Sequence, residues 1–573
     1  MSVIRHTLID GKHVECAYDG KFDHECGVCV VGAGTAGAVA AISAARRGMD
    51  VLTVDLAPIP GGTGTAACVW DYYYGADGGL YEEVNAEADE ILAEGNYIPS
   101  TVPDYKKSYP TAVKSLALVR ELEKYHVRSI WSAFVTDVFT EDGKVIGVAA
   151  SDGEKTITVR ADVVIDGAEG AVCRLIGLKT LGGRRSDGKL ARFSRTVGKM
   201  MNGHMYGIWS FNDDFAGKSP EESARLNLEW AGRMPCLPDR MNEDRRLYSM
   251  GCEVGRREVL CVETEKVYTF LDLLEGRIPE NPIFYTFAPL DNANPDLWNE
   301  DEEFQDWQML CTLHASGISV GIPPECLIPK GTRGLLVAGK HIGTGHTMTS
   351  TVRMRTDMEK CGEAAGVMAS MMTEHDCDAQ TICRERFAEL REILSETGCY
   401  NKENDRGVCD LNQPDNGMWK SVKLPETVDE LRESLASVYP SIGLFAVRTV
   451  KGRGGDVEGF KNALVGWLDS DDKLLRENSA VALGLIGDKR ALPELRRILE
   501  GKCETHTYRS PHKYFFGWLE TTVLCNYVKA VCLLGRLGER EDDEILKRVA
   551  GYDGEEPELI KAREYAKAAL KKR

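Results

Sequence analysis

Three glycines near the N-terminus, Gly32, Gly34 and Gly37, constrain the fold of this chain more than any other feature. They follow the apolar run VCVV, which is typical of a buried parallel strand, and they open an alanine-rich stretch that predicts a helix ending at Gly48. The run MDVLTVD predicts a second buried strand that ends on Asp55. Because 57 of the 573 residues are glycine, the spacing alone is weak evidence. The flanking pattern is what predicts a strand–turn–helix–strand unit.

Each position in this unit has a physical role in binding a dinucleotide. Gly32 permits a tight turn, Gly34 removes a side chain where the backbone approaches a pyrophosphate, and Gly37 lets the helix pack closely on the strand. The helix N-terminus around Ala36 stabilises the charge of the phosphates. Asp55 would accept hydrogen bonds from ribose hydroxyls and would repel a 2′-phosphate. The alternative interpretation is an ordinary βαβ unit without a ligand.

A second loop of small residues follows Asp55 in the segment DLAPIPGGTGTAAC. It contains Gly61, Gly62, Thr63 and Gly64. Small residues directly behind a ribose-binding acid suit a large flavin tail that lies against the backbone. This loop therefore favours FAD over NAD as the dinucleotide.

Two further segments, ADVVIDGAEGAVCRLIG and the run from IPPECLIPKG to GEAAGVMAS, complete a pattern that resembles a known family. With Asp55 and the GGTGT loop, they are similar to the FAD-dependent oxidoreductases related to fumarate reductase flavoproteins. The resemblance covers residues 24–180 and 320–375. It implies an α/β fold, in which these two ranges form a Rossmann-type, glutathione-reductase-like FAD-binding domain. Residues 181–319 would be an inserted α+β cap domain for the substrate.

The chain departs from this family in two places. Lys340 stands where the family commonly has arginine, so the positive charge is kept but the bidentate fork of donors is lost. The usual DATGDG is replaced by a loop that begins Asp166-Gly-Ala-Glu-Gly. The second change alters the expected loop geometry but not the strand before it.

The resemblance also implies several cofactor contacts. Gly339 and Lys340 would follow the strand that closes the flavin site. Thr351 and Val352, expected at the start of the final helix, would present backbone N–H groups to the flavin pyrimidine and stabilise negative charge on the reduced ring.

Between the motifs, apolar and polar residues alternate on both sides of Asp142-Gly143, which predicts a β-meander with a tight hairpin. By the resemblance, the backbone near Phe134 and Val135 would flank the adenine.

The loop after the closing strand holds the candidate catalytic groups. Flavin chemistry of this kind needs a group that exchanges a proton and often a cation that fixes a substrate oxygen. The resemblance makes His346 the first candidate for acid–base work, and Arg353 is the candidate for anchoring a substrate anion or polarising a carbonyl. His341 and Arg355 are weaker candidates, and His314 is weaker still. For any lone histidine or arginine, a structural role is the alternative.

Composition limits the partners of the chain. Lys and Arg total 70 against 89 Asp and Glu, and this net charge of −19 disfavours nucleic acid and anionic lipid. No run approaches the ~20 apolar residues that cross a bilayer, and the first residues lack the pattern of a secretory signal. We therefore expect a cytoplasmic protein without a membrane partner.

The 18 cysteines are scattered, which favours reduced thiols over disulfides. Cys26 and Cys29 lie on a predicted strand that points them to opposite faces, so we expect neither a redox pair nor a metal site there. Iron–sulfur and haem motifs are absent from the sequence. Electrons would therefore pass to or from a separate or diffusible donor or acceptor.

The C-terminal part predicts helices with internal similarity. After a polar connector over residues 376–425, Leu483-Gly484 aligns with Leu534-Gly535 within residues 426–573, and GLFAVRTVKGRGGDVEGFKNAL is a looser copy. The pattern is typical of HEAT-like repeats, which need about three stacked units to bury a core. These repeats would pack on the catalytic body, form a homo-oligomer interface or recruit a protein partner.

Taken with the resemblance, the sequence predicts an FAD-dependent oxidoreductase. It would move a hydride between flavin N5 and a small organic substrate, by C=C reduction or by CH–OH or CH–CH oxidation. The alternative is a flavoprotein scaffold whose repeats recruit a partner, with little or no turnover of its own. An NAD-only dehydrogenase is disfavoured, because the C-terminal closing segment has no role in it.

Overall fold

A computed structural model provides the structure of the chain. It describes residues 2–69, 71–72, 74–95, 107–184, 188, 190, 194–201, 204–211, 246–250, 255–289, 302–310, 316–410, 421–504, 506–514 and 517–573. His314 lies outside these residues, as does much of the range predicted to form a cap.

The chain divides into two compact units. Unit 1 consists of Met1–Tyr268, Pro279–Ala288 and Ser319–Asp405, and unit 2 consists of Thr269–Ile278, Pro289–Ile318 and Arg406–Arg573.

The strands, in chain order, are β1 (Val3–Ile9), β2 (Lys12–Tyr18), β3 (His24–Val31), β4 (Val51–Val54), β5 (Asp71–Tyr72), β6 (Lys107–Ser108), β7 (Arg128–Ile130), β8 (Phe134–Glu141), β9 (Lys144–Ser151), β10 (Thr156–Asp166), β11 (Thr180–Leu181), β12 (Ser194–Met201), β13 (His204–Phe211), β14 (Arg246–Met250), β15 (Cys261–Val262), β16 (Phe284–Pro289), β17 (Ser316–Ile322), β18 (Leu335–Val337), β19 (Val408–Asp410), β20 (His506–Tyr514) and β21 (Gly517–Val523).

The helices are α1 (Thr35–Arg46), α2 (Leu80–Ala93), α3 (Thr111–Lys124), α4 (Ala171–Leu175), α5 (Phe270–Leu274), α6 (Glu302–Leu310), α7 (His346–Val352), α8 (Arg355–Glu374), α9 (Ala379–Glu385), α10 (Phe387–Glu396), α11 (Val428–Leu435), α12 (Ser441–Thr449), α13 (Val457–Trp467), α14 (Lys473–Leu485), α15 (Leu492–Glu500), α16 (Asn526–Leu537), α17 (Asp543–Ala550) and α18 (Pro557–Lys572).

A mixed sheet with parallel strands at one end organises unit 1. Its order is β2-β1-β8-β9-β10-β3-β4-β7, and β18 pairs with the C-terminal end of β10. Strands β18, β10, β3, β4 and β7 run parallel, and β4 is buried along its whole length because it carries only apolar residues and one threonine. The predicted strand–turn–helix–strand unit is confirmed as β3, α1 and β4.

The predicted meander is also confirmed. Strands β8, β9 and β10 pair antiparallel in succession, and Asp142 and Gly143 connect β8 to β9. Both turn residues have positive φ, at 50° and 73°, as a tight type I′ hairpin requires. The meander joins the parallel strands of the sheet to the N-terminal hairpin of β1 and β2.

Helices α1 and α8 pack closely through glycines of the GEAAG segment. A Cβ at Gly362 would lie 2.0 Å from the Ala36 carbonyl oxygen, and a Cβ at Gly366 would lie 2.5 Å from that of Ala40. Since a side chain at either glycine would overlap backbone, this segment brings the backbones of the two helices into contact.

Unit 2 is built mainly of helices around a buried aromatic residue. The Trp307 ring of α6 is fully buried and meets the rings of Phe270 and Phe445 edge-on. Asp306 forms ion pairs with Arg448, at 3.1 Å, and with Arg536. These contacts join α5 and α6 to the C-terminal helices α12 and α16.

Two aligned glycines of the C-terminal segment lie at helix contacts. A Cβ at Gly484 in α14 would lie 2.7 Å from the Leu533 side chain, and one at Gly535 in α16 would lie 2.7 Å from the Ala569 Cβ. Of the range predicted as a connector, residues 376–405 contain α9 and α10 and belong to unit 1. Among the helices described, none has both the length and the apolar character that a membrane span needs.

Substitution of Gly362 by alanine should destabilise unit 1, because its Cβ would meet the Ala36 carbonyl oxygen of α1. We expect a loss of at least ~2 kcal/mol, in the range typical of overpacking, seen as a lower thermal midpoint. The control is Gly466→Ala, at an exposed helical position with no atom within 4 Å of the new Cβ. It should be neutral or stabilising by up to ~1 kcal/mol. Equal midpoints for the two variants would contradict the packing argument.

Candidate active site

The first glycine turn lies where three parallel strands end. Gly32 has φ +87°, and a Cβ there would lie 2.8 Å from the backbone of Gly167 and Ala168. Its N–H donates to the Val54 carbonyl at 2.7 Å. A Cβ at Gly37 would lie only 1.7 Å from the Gly32 oxygen. Both positions therefore require glycine for the packing of the protein itself.

The second glycine loop is held against the start of α1. The Gly61 N–H donates to the Ala33 carbonyl at 2.9 Å, and Thr35 Oγ1 donates to the Gly61 carbonyl at 3.0 Å. Gly34 and Gly62 face each other, and a Cβ at Gly62 would lie 3.0 Å from the Gly34 Cα. Gly34 is the N-cap of α1 and supplies no side-chain cap. The first N–H groups of α1 therefore have no side-chain cap, and such a helix N-terminus is a favourable place for phosphate.

Asp55 lies beside the first glycine turn and stabilises it through hydrogen bonds to the backbone. Its carboxylate accepts hydrogen bonds from the N–H groups of Ala33 and Ala57, the second at 2.6 Å. Its carbonyl accepts the Ala133 N–H at 2.9 Å. The start of β8, with Phe134 half-exposed and Val135 next to it, therefore lies beside Asp55.

The closing strand β18 brings its loop to the same turn. Gly339 has φ +123°, and a Cβ there would lie 3.7 Å from the Ala36 Cβ of α1. His341 is 1% exposed, and its Nε2 lies 2.9 Å from the Asp166 carbonyl oxygen. Burial lowers the pKa of His341, so its ring stays neutral. This histidine holds the loop to the end of β10.

A cluster of charged side chains lies at the loop that departs from the family pattern. Lys340 Nζ donates to the Arg256 carbonyl at 2.7 Å and lies 3.6 Å from the Glu169 carboxylate, which the Arg256 guanidinium contacts at 2.5 Å. Burial acts to raise the pKa of Glu169, but the charges of Lys340 and Arg256 bring it down to about 2. Burial lowers the pKa of Lys340, and the charges of Arg256 and Arg353 lower it further. Lys340 and Arg256 thus lie against Glu169, and Arg353 is near enough to act on Lys340 through its charge.

His346 forms a close pair with Glu258. Its Nδ1 lies 2.6 Å from Glu258 Oε1, and their side chains are 8% and 2% exposed. The Gly183 N–H donates to the same oxygen at 3.0 Å. Because a carboxylate oxygen accepts, the proton of the neutral imidazole belongs on Nδ1, and Nε2 is the basic nitrogen. No motif in the sequence marks Glu258, Arg256 or Glu169; the only signal was the departure of the Asp166 loop from the family pattern.

The helix boundaries differ from the sequence prediction at Thr351 and Val352. Both residues lie at the C-terminal end of α7. The next helix, α8, begins at Arg355 after a break with extended backbone at Met354. Thr351 Oγ1 donates to the Met348 carbonyl within α7. The segment expected to form one helix therefore forms two. The N–H groups that lack an intrahelical acceptor lie in the first turns of α7 and α8, and not at Thr351 and Val352.

Arg355 lies beside the second glycine loop. Its guanidinium stacks 4.1 Å from the Tyr72 ring centre, and a Cβ at Gly64 would lie 3.2 Å from its Nη1. Beneath it, Glu359 accepts hydrogen bonds from Tyr72 Oη at 2.6 Å and Lys114 Nζ at 3.1 Å. The first turns of α8 therefore carry a network of buried charges next to Gly64.

The parallel sheet, the glycine turn and the acid after β4 define a Rossmann-type dinucleotide-binding protein. Two overlapping stretches, residues 27–245 and 231–394, match the family described as FAD dependent oxidoreductase. Together they cover more than half of the chain. The chain therefore belongs to this family. The protein is an FAD-dependent oxidoreductase, and FAD is its cofactor.

Several solved flavoprotein structures are similar at low identity. A geranylgeranyl bacteriochlorophyll reductase-like protein from Thermoplasma acidophilum is 14% identical, with 79% of this chain and 98% of that chain covered and a TM-score of 0.35. The p-nitrophenol 4-monooxygenase from Pseudomonas putida is 12% identical, with 66% of this chain and 89% of that chain covered and a TM-score of 0.35. A 3-ketosteroid-Δ4-(5α)-dehydrogenase from Rhodococcus jostii is 21% identical, with 28% of this chain and 51% of that chain covered and a TM-score of 0.20. No curated protein matches the chain.

The two glycines of the first turn should respond differently to alanine. A Cβ at Gly34 has only the Gly62 Cα near it, at 4.0 Å, so Gly34→Ala should fold normally yet hinder the approach of a pyrophosphate. We expect at least ~10-fold weaker FAD binding, which is about 1.4 kcal/mol, with an unchanged melting temperature of the apoprotein. Gly37→Ala should instead lower the yield of folded protein. Flavin titration and thermal unfolding separate the two effects, and tight FAD binding by Gly34→Ala would argue against a pyrophosphate at this turn.

Buried Glu363 should make stability depend on pH. Burial raises its pKa to about 7, above the ~4.3 of a free glutamate. From ~pH 4 to ~pH 7 the folded state holds more protons on this group than the unfolded chain does, so its contribution to stability is lost as pH rises. Glu363→Gln keeps an acceptor for the Leu80 N–H, which donates to Oε2 at 2.7 Å, and removes the charge.

The thermal midpoint of Glu363→Gln, relative to wild type, should therefore rise between ~pH 4 and ~pH 7. The exposed Glu392→Gln is the matched control and should show no such trend. Parallel pH curves for wild type and Glu363→Gln would disprove the assignment.

Proposed function

We propose that this enzyme transfers a hydride between the flavin and a small organic substrate that carries an anionic group. The observation that supports it most is the buried His346–Glu258 pair, in the same loop region as the Lys340 cluster. The direction is reduction of an activated C=C bond or oxidation of a CH–OH or CH–CH group. When bound, FAD supplies the two-electron hydride donor or acceptor.

The residues of unit 1 fit the cofactor. The Gly34 position has room for a close backbone approach, and the N-terminus of α1 offers N–H groups to phosphate. We assign the cofactor contacts to Gly32, Gly34, Ala36, Gly37, Asp55, Gly61, Gly62, Thr63, Gly64, Val135, Gly339, Lys340, Thr351 and Val352. Since Thr351 and Val352 end α7, their part would be to line the site, while the N–H groups at the start of a helix come from other residues.

His346 holds and moves the proton in this proposal. Glu258 keeps the Nδ1–H of the ring oriented and stabilises the imidazolium that forms when Nε2 takes up a proton. The Gly183 N–H donates to Glu258 and fixes the carboxylate in turn. His346 thus acts on the substrate through Nε2, and Glu258 is a positioning residue.

The cation cluster suggests the chemical class of the substrate. Lys340 and Arg256 lie against the carboxylate of Glu169, and the positive charge of Arg353 lowers the pKa of Lys340, on a chain whose net charge is −19. Such a concentration of cations favours a carboxylate or another anion. We assign Arg353 to this anchoring role. Arg355, beside Gly64, would stabilise negative charge on the flavin side.

The remaining assignments belong to the same proposal. They are a specific relation to fumarate reductase flavoproteins, FAD-binding ranges 24–180 and 320–375, a substrate cap in residues 181–319 and a connector over residues 376–425. HEAT-like repeats in residues 426–573 would form an interface between copies of the chain. A cytoplasmic location and a separate or diffusible electron partner complete it.

Removal of the His346 imidazole should lower turnover by ~10²–10⁴-fold without loss of flavin, because a positioned acid–base group contributes this much. Glu258→Gln should lower the rate less and shift its pH profile, since the orienting charge is lost while the shape is kept. The measurement is the reoxidation of photoreduced enzyme by a panel of unsaturated carboxylates and carbonyl compounds.

The matched control is His375→Ala. His375 forms a similar pair with Glu389, at 3.2 Å, at the far end of α8. It should turn over at the wild-type rate. A His346→Ala enzyme with normal flavin content and wild-type turnover would refute the acid–base assignment.

A further inference from the structure

The N-terminal hairpin of β1 and β2 precedes the segments that match the family, which begin at residue 27. In its register His6 is opposite Glu15, and His13 is opposite Leu8, two residues further along β1. Because side chains alternate along a strand, His6, His13 and Glu15 lie on one face of the hairpin. The other face carries Tyr18, which packs on the apolar cluster around Phe139.

The three side chains converge closely. His6 Nδ1 lies 3.1 Å from His13 Nε2 and 3.6 Å from Glu15 Oε1, and one ligand atom of each residue lies within 4.8 Å of the others. The two imidazole rings are nearly parallel, with centres 5.3 Å apart. Ligand atoms on a tetrahedral zinc ion, at bonds of about 2.0–2.1 Å, are about 3.4 Å apart. The spacing of these groups is already close to that of a metal site.

We propose that His6, His13 and Glu15 form a divalent transition-metal site of the zinc type. Two imidazoles and one carboxylate are a ligand set that zinc takes in proteins, with water in the fourth position. His13 and Glu15 are exposed, so an ion has access from solvent. The ion would join β1 to β2 and act as a clamp on the hairpin.

A hydrogen bond to β8 holds His6, the buried residue of the three, in place. The other ring nitrogen of His6, Nε2, lies 2.8 Å from Thr140 Oγ1 on β8, the strand that pairs with β1. Hydrogen bonds of this kind fix the orientation of a ligating imidazole and its tautomer. His13 also packs against Gly177, where a Cβ would lie 3.7 Å from its Nδ1.

The test uses the full-length flavoprotein after treatment with a chelator. Isothermal titration with Zn²⁺ should show one site per chain, and Mg²⁺ should show none, because Mg²⁺ prefers all-oxygen ligands. Thr140→Val should weaken Zn²⁺ binding by ~10–100-fold, and His13→Ala and Glu15→Gln should weaken it more. Both of these ligand positions are exposed, so the variants should keep the fold, which thermal unfolding without metal checks.

Two controls separate this site from others. His24→Ala removes an exposed histidine of β3 and should bind Zn²⁺ as the wild type does. Cys16→Ser removes an exposed thiol that lies on the opposite face of β2 and should also leave binding unchanged. Added Zn²⁺ should raise the thermal midpoint of wild type but not that of His13→Ala.

Failure of the wild type to take up Zn²⁺ would overturn the proposal and leave a plain hydrogen bond between two histidines. Binding that survives in His13→Ala, or that is lost in Cys16→Ser, would overturn it as well. Flavin content and turnover are not part of these outcomes, so the result is independent of the proposed function.

Discussion

Unit 1 depends on close contact between backbones around α1. Gly32 lies against Gly167 and Ala168, Gly37 lies against Gly32, and Gly362 lies against the Ala36 carbonyl. Each contact leaves no space for a Cβ. The first two tie α1 to β3 and β10, and the third ties it to α8. Segments that are far apart in the sequence are thereby brought to one glycine turn.

The same packing buries charge. Helix α8 is covered along most of its length, yet it carries Asp357, Glu359, Lys360 and Glu363. Glu359 pairs with Lys114 at 3.1 Å, and Lys360 Nζ donates to a backbone carbonyl at 2.6 Å. Burial of a charge is costly unless every group finds a partner, so these residues depend on one another for their stability. The network reaches Arg355 through Tyr72, whose hydroxyl donates to Glu359 and whose ring lies beneath the Arg355 guanidinium.

Charge is distributed unevenly between the surface and the site. The chain as a whole is strongly acidic, while Lys340, Arg256 and Arg353 gather near one loop. In the proposed function, these side chains would attract an anionic substrate. The His346–Glu258 pair belongs to the same unit, and in the proposed function it would exchange the proton that accompanies hydride transfer.

The sequence by itself determined the features that are encoded locally. The βαβ unit around Gly32, Gly34 and Gly37 and the hairpin at Asp142 follow from apolar patterning and turn chemistry over short stretches. Only the tertiary structure decided which distant side chains meet. Glu258 reaches His346 across 88 residues, and β18 reaches β10 through a parallel pairing that no local pattern specifies. The physical reason is that periodicity reports which face of an element is buried, while the packing of elements sets the partner that buries it.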